Sequence, residues 1–518
     1  MHTDARTLEE GTVLEGDLCI IGAGAAGISM ALEWVGAKQR VLLLEGGGFE
    51  YEPRMQELYR GDIVGLPYFP LQAARLHYFG GTTGHWAGFC STLDPLDFEQ
   101  RDWVPHSGWP ITRAELDPYY PRAHRLVGIG PYEWDAAQWT QRDPRLVPFP
   151  LDPSVAWTKM WQFSAPARFG QLYREAIVNA PDVHLFTHAN VCELEASESG
   201  GLVDSLRVRT LEGKEFRARA RRYVLACSTI QNARLLLASN ARATAGLGNG
   251  NDLVGRFFME HLEMPSGNFV TLGTPPASTQ MYALDFGRTK ARGELALAAG
   301  VQREQRILNA TVSLEPGAVS EEGKSTFQWA TPDVVERMRT GGLDDSAGST
   351  AATTPPRTFH LMTRQEQAPN PASRVTLSAE RDALGMPRAQ LDWRLTDLDR
   401  RSFRSFYEVL GRELGRSGVG RVQMRDWVLE RSDAPWPASL GGGWHHMGTT
   451  RMHADPKQGV VDANCRVHGI ANLWVAGAAV YPTAGCANPT LTLIALSLRL
   501  SDHFKASPAP APLASAPR

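Results

Sequence analysis

Four groups of residues have the types and spacing to do chemistry. The first is the adjacent pair His445-His446, within Trp444-His-His-Met-Gly-Thr-Thr-Arg-Met452. Imidazole is the side chain suited to take a proton from an alcohol near neutral pH. In extended backbone neighbouring side chains point to opposite faces, so only one of the two can face a given site. The second is Asn488-Pro489-Thr490, just ahead of an apolar helical pattern. Asn suits an N-cap and Pro the first helical position, which leaves the helix's free N–H groups to stabilise negative charge in front of them. The third is Gly22-x-Gly24-x-x-Gly27 with Glu45 closing the next apolar run. Here the glycines allow a tight turn, close approach of a pyrophosphate and close helix–strand packing, while the carboxylate accepts from ribose hydroxyls. The fourth is Gly80-Gly81-Thr82-Thr-Gly-His85-Trp86-Ala87-Gly88, whose glycines let backbone press against a bulky ring system. Each has a plainer structural alternative: a helix cap for Asn488, satisfied polar residues for His445 and His446, and glycine-rich turns for the rest.

These groups must be held by elements, and the pattern predicts them. Asp17–Ile21 is a short apolar run ending in the glycine turn; a helix follows from about Ala25 to Gly36, then a buried strand Val41–Leu44. Strand, glycine turn, helix and strand form the first unit of a doubly wound dinucleotide-binding domain, whose motif does not separate NAD from FAD. Residues 51–109 read as an irregular stretch wrapping a ligand. Helices are expected over Arg113–Val127, Thr229–Ser239, Asp397–Arg416 and Thr490–Phe504. Strands are expected over 183–194, 202–210, 222–226 and 473–476. Short runs at 295–301, 307–314, 357–363 and 373–377 suggest an antiparallel sheet. Residues 340–356 read as a mobile loop and 507–518 as a disordered tail.

Composition narrows the function. The chain has 518 residues with 53 basic and 56 acidic side chains, a net charge of −3, which excludes a strongly basic nucleic-acid binder. No run approaches the roughly 20 apolar residues of a membrane helix. The start is polar and acidic without a signal-peptide pattern. Six cysteines without CxxC pairs suit a reducing cytoplasm, the expected location unless a partner carries the chain to the periplasm. No metal-ligand spacing, nucleophile elbow or Walker loop is present.

Taken together, the motifs resemble the glucose–methanol–choline (GMC) flavoprotein oxidoreductases over nearly the whole chain, in order. Tyr223 to Ser239 is similar to the second family signature, departing at Asn232-Ala233 and at Asn240. Asn251–Arg256 with His261 also looks family-like. His445–Met452, Gly459–Asp462, Arg466–Gly469, Asn472–Gly477, Tyr481–Thr483 and Asn488–Thr490 follow in register. His446 stands where Pro or Gly is usual, and Gly477 where many members carry Asp. The texture of Gly84–Gly88, Leu93–Phe98, Gly108–Pro110, Glu115–Tyr120 and Trp161–Ser164 is similar to bacterial sugar-type members, namely pyranose oxidases and the large subunits of fructose and gluconate dehydrogenases.

The resemblance implies an α/β FAD-binding Rossmann-like domain from residues 1–110, 180–264 and 441–506. It also implies an α+β substrate-binding cap with an antiparallel sheet from 111–179 and 265–440, a two-domain architecture like that of p-hydroxybenzoate hydroxylase. It implies FAD held by Gly22, Gly24, Gly27, Glu45, Gly80, Gly81, Thr82, His85, Trp86, Ala87, Val191, Cys227, Gly477, Ala478, Asn488, Pro489 and Thr490. Some relatives link FAD covalently through a His at the position of His85, whereas others with His-Trp here do not; both remain open. The implied reaction oxidises the CH–OH of a sugar or other small alcohol. His445 takes the hydroxyl proton, hydride passes to flavin N5, and Asn488 orients the oxygen. Trp161, Phe163, Trp444 and His446 are candidates for the substrate side. The electron acceptor (oxygen, a quinone or a carrier protein) stays open. So do a lyase or photodecarboxylase on the same fold and an FAD subunit of a larger dehydrogenase.

Overall fold

The apolar run Val13–Ile21 is a strand whose last four residues are buried, and the buried Val41–Leu44 pairs parallel to it. Between them lies the helix Ala25–Leu32, begun by Gly24. The tight turn depends on Gly22, at φ +100°, where a Cβ would lie 2.6 Å from the Ala226 carbonyl oxygen. This unit anchors an eight-stranded sheet. In spatial order its strands are His2–Asp4, Val183–Thr187, Val41–Leu44, Val13–Ile21, Glu215–Leu225, Val203–Arg209 and Asn190–Ala196, with Leu473–Val475 also on Glu215–Leu225. The first five of these and Leu473–Val475 run parallel; Val203–Arg209 pairs antiparallel with Glu215–Leu225, and Asn190–Ala196 antiparallel with Val203–Arg209. This is the expected α/β layer.

The second layer is a seven-stranded antiparallel sheet. Its order is Gly420–Met424, His261–Thr271, Thr358–Glu366, Ala310–Pro316, Ala291–Leu297, Ala156–Phe163 and Phe89–Cys90. The amphipathic helix Asp397–Arg416 buries Phe403, Phe406, Tyr407 and Leu410. A small third sheet joins Arg374–Arg381 and Pro387–Asp392 to Gly61–Ile63. The computed structural model describes residues 1–164, 167–272, 277–282, 291–316 and 358–507. The loop expected at 340–356 lies outside them, as does the expected tail from residue 508 on.

Several local expectations are corrected, the first being the strand expected over 183–194, which is two strands, Val183–Thr187 and Asn190–Ala196, broken at His188 with φ +56°. The helix expected over Arg113–Val127 is two helices, Arg113–Leu116 and Tyr120–Val127, because Pro118 cannot donate the hydrogen bond that would join them. The strand expected over 295–301 ends at Leu297, and Ala299–Gln305 is helical. The strand expected over 307–314 runs instead from Ala310 to Pro316. Short apolar runs carry no period that separates helix from strand. No helix among the described residues is long and apolar enough to cross a membrane.

Candidate active site

Residues 441–447 run antiparallel to 259–263, through paired bonds between Met259 and Met447 and a bond from Glu263 N–H to Gly441 O. That pairing sets His445 beside the start of the strand His261–Thr271. Alternation along this strand puts His261 and Glu263 on one face. His445 Nδ1 lies 2.9 Å from His261 Nδ1 and 3.8 Å from Glu263 Oε1. Glu260 is fully buried, and its Oε1 accepts the backbone N–H groups of both His261 (2.9 Å) and His445 (2.6 Å). Its Oε2 accepts from Tyr68 OH, which lies 2.8 Å from His446 Nε2. His445 and His446 thus meet different partners, although both line the same cavity, so the expectation that only one of them faces the site is not met. Burial, with Arg364 and His446 nearby, holds the His445 pKa well below the usual histidine value, so its ring is neutral. Burial pushes His446 down to about 3 and Glu260 up to about 8.

Asn488 stands at the N-cap of the helix Pro489–Ala506, yet its side chain makes no cap bond. Its Nδ2 is 3.0 Å from His445 Nε2, and its Oδ1 accepts the Trp161 indole N–H at 2.9 Å. The plain helix-cap alternative is therefore set aside. Trp161 is fully buried, and Phe163 packs with it and Cys486.

A cavity of about 500 Å³ runs past these groups. On its wall are the expected Gly22, Gly24, Glu45, Gly81, Thr82, His85, Trp86, Ala87 and Cys227. Gly477, Ala478, Asn488, Pro489, Thr490, His445, His446 and Trp444 complete the expected set there. Gly27, Gly80, Val191, Trp161 and Phe163 are not on that wall. Gly27 serves packing, because a Cβ there would sit 1.9 Å from the Gly22 carbonyl oxygen. Glu45 is buried, with Oε2 accepting from Ala23 N–H (2.8 Å) and Oε1 from Gly47 N–H (2.9 Å). The sequence reading assigned no role to Phe69, Glu263, Met362 or Arg364, which also line the cavity. Glu263 and Arg364 are cross-strand neighbours, joined Nε to Oε1 at 2.7 Å. The signal that could have found Glu263 is its two-residue spacing from His261, the period that puts both on one strand face.

The wall suits a flat dinucleotide such as FAD. Two helix N-termini, at Gly24–Ala26 and Asn488–Thr490, open onto it. A Cβ on Gly24 would meet nothing within 4 Å. Buried polar atoms on the wall lack protein partners: both ring nitrogens of His85, Ser228 Oγ and Trp444 Nε1. Burial holds His85 at about pKa 3, so its ring is neutral.

Comparison with known proteins agrees. Residues 17–246 match the family model described as FAD dependent oxidoreductase, and residues 369–497 match that described as GMC oxidoreductase. The chain is similar to 2-methyl-1,2-propanediol dehydrogenase of Mycolicibacterium austroafricanum, at 24% identity over 94% of this chain and 95% of that protein. It is similar to 6'''-hydroxyparomomycin C oxidase of Streptomyces lividus, at 27% identity over 94% of this chain and 90% of that protein. In fold it resembles formate oxidase, with a TM-score of 0.58 and 16% identity, over 96% of this chain and 99% of that one.

Proposed function

Because the chain belongs to the GMC oxidoreductases and is FAD-dependent, we propose that it oxidises a CH–OH group of a polyhydroxylated small molecule to the carbonyl. One observation carries this reading: a neutral imidazole nitrogen, His445 Nε2, and an amide, Asn488 Nδ2, lie 3.0 Å apart on the cavity wall at a helix N-terminus. FAD, held along Gly22, Gly24, Glu45, Gly81–Ala87 and Gly477–Ala478, supplies the two-electron acceptor when bound. His445 Nε2 takes the substrate's hydroxyl proton as the carbonyl forms. Its single lone pair faces Asn488 Nδ2 in the resting site, so the incoming hydroxyl replaces that contact. The Asn488 amide then donates to the substrate oxygen and orients it. The first N–H groups of Pro489–Ala506 offer positive partial charge to an anionic ring system in front of them. Glu263 and Arg364, a charged pair in the wall, suit the several hydroxyls of a sugar-like substrate. The names of the relatives, a 2-methyl-1,2-propanediol dehydrogenase and a 6'''-hydroxyparomomycin C oxidase, support oxidation of a hydroxylated small molecule.

The test is anaerobic mixing of the FAD-loaded protein with a panel of sugars, polyols and aryl alcohols, followed by flavin absorbance. Bleaching by the polyhydroxylated class is expected, and readmitted air then reports whether oxygen reoxidises the flavin. His445→Ala is expected to slow bleaching by about 10²–10⁴-fold with FAD still bound. Bleaching at the unaltered rate in that variant would refute the base assignment.

A further inference from the structure

His261 is fully buried and forms no part of the cavity wall. It nevertheless ends a chain of hydrogen bonds whose directions can be read from groups that only donate or only accept. At one end, His261 Nε2 lies 3.0 Å from the Gly485 carbonyl oxygen. A carbonyl only accepts, so His261 Nε2 carries a proton. At the other end, the Trp161 indole N–H only donates, so the Asn488 atom it meets at 2.9 Å is Oδ1. The Asn488 NH₂ therefore faces His445 Nε2 at 3.0 Å as donor, and that nitrogen is bare. A neutral imidazole bare at Nε2 carries its proton on Nδ1, which lies 2.9 Å from His261 Nδ1. One proton fits between these two nitrogens. Starting from Gly485 or from Trp161, the same hydrogen lies there, on His445.

We infer that His261 is a positioning residue: by accepting the Nδ1 proton of His445, it holds that ring in the tautomer whose Nε2 is free to receive the substrate's hydroxyl proton. The inference rests on the role proposed above for His445. Once His445 takes the proton, its Nδ1–H becomes a charge-assisted donor to His261 Nδ1, with Glu263 Oε1 at 3.8 Å adding attraction. A histidine supplies what orients the base in this site, where other sites use a carboxylate.

Two variants separate orientation from structure. In His261→Asn the amide oxygen stands near the position of the ring's Nδ1 and keeps the acceptor. In His261→Gln the amide nitrogen reaches toward Gly485 and the acceptor is lost. For the FAD-loaded protein, His261→Gln is expected to lower the limiting rate of flavin reduction about 10²-fold, with KM changed less than about threefold. His261→Asn is expected to recover the rate to within about tenfold of the parent. Nitrogen NMR of the full chain with labelled histidine reads the tautomer directly. His445, assigned by its loss in His445→Gln, should be protonated at Nδ1 and bare at Nε2 in the parent and in His261→Asn. It should become a mixture in His261→Gln. Protonation at Nε2 in the parent, or an unchanged rate and tautomer in His261→Gln, overturns the inference. If no alcohol bleaches the flavin, the functional reading fails while the nitrogen spectra, which need no turnover, still decide the tautomer.

Discussion

Asn488 shows how one side chain can be read two ways from sequence and one way in space. Its position before Pro489 suits a helix cap, and only the fold brings Trp161 and His445 to its two ends. An amide between a donor-only indole and a bare imidazole nitrogen has one stable orientation. Trp161→Phe removes the donor and leaves Asn488 Oδ1 buried without it, a loss of about 1–3 kcal/mol. The amide still donates to His445 Nε2 but has lost the contact that fixed its other end, so its NH₂ is aimed less firmly at the substrate oxygen. The expected result is reduction of the flavin slowed about tenfold, at unchanged FAD content. A rate equal to the parent's would show that Asn488 is oriented by something other than Trp161. Glu260 works similarly from behind, holding the backbones of His261 and His445 with one carboxylate oxygen.

At the scale of elements, the glycine turn assigns different duties to residues that look alike in sequence. Gly27 lets the first helix pack on its strand, whereas Gly24 leaves the cavity side of that helix open. Gly27→Ala is expected to destabilise the whole fold by about 1–3 kcal/mol or more, with or without FAD, because a methyl at 1.9 Å from a carbonyl oxygen forces backbone apart. Gly24→Ala should leave the apoprotein within about 1 kcal/mol of the parent, since its methyl meets no protein atom, while weakening FAD binding. Denaturant titration of both variants, with and without added FAD, checks the contrast. Equal losses in the absence of FAD would overturn it. The glycine motif and its flanking runs were legible because period and turn chemistry are local. The break at Pro118 was equally local yet was missed, and the short runs around 295–314 were not resolved without their sheet partners.

Across the whole molecule, the cavity lies where the parallel sheet's glycine turns meet the antiparallel sheet's strand His261–Thr271, and the enclosure leaves several histidines neutral. His77 is one, away from the proposed chemistry. Its Nδ1 bonds Met55 O at 2.9 Å, and its ring stacks on Tyr59. Burial pushes it down to about 4 from 6.5. Because the folded value is the lower one, the unfolded chain binds more protons between these values. The stability this histidine contributes is complete above pH 6.5 and is lost as pH falls toward 4. The difference in unfolding free energy between the parent and His77→Gln should therefore shrink by up to about 1.4 kcal/mol per pH unit across that window. Denaturant titrations at saturating FAD from pH 6.5 to about 4.5 measure it. A constant difference would mean that His77 titrates normally in the folded chain.

The sequence alone determined what depends on neighbours along the chain. It marked the dinucleotide turn at Gly22–Gly27, the buried strands beside it, the glycine loop around His85, the histidine run at 445–446, and the helix start at Asn488-Pro489. These are short-range consequences of backbone freedom, side-chain alternation and helix-end chemistry. Tertiary structure alone decided that Trp161 acts from behind the wall, and that His261, Glu260, Glu263 and Arg364 belong to the site. Those contacts join residues from distant segments, among them 161, 261, 364, 445 and 488. Their hydrogen-bond directions exist only once the two sheets close on each other and exclude water.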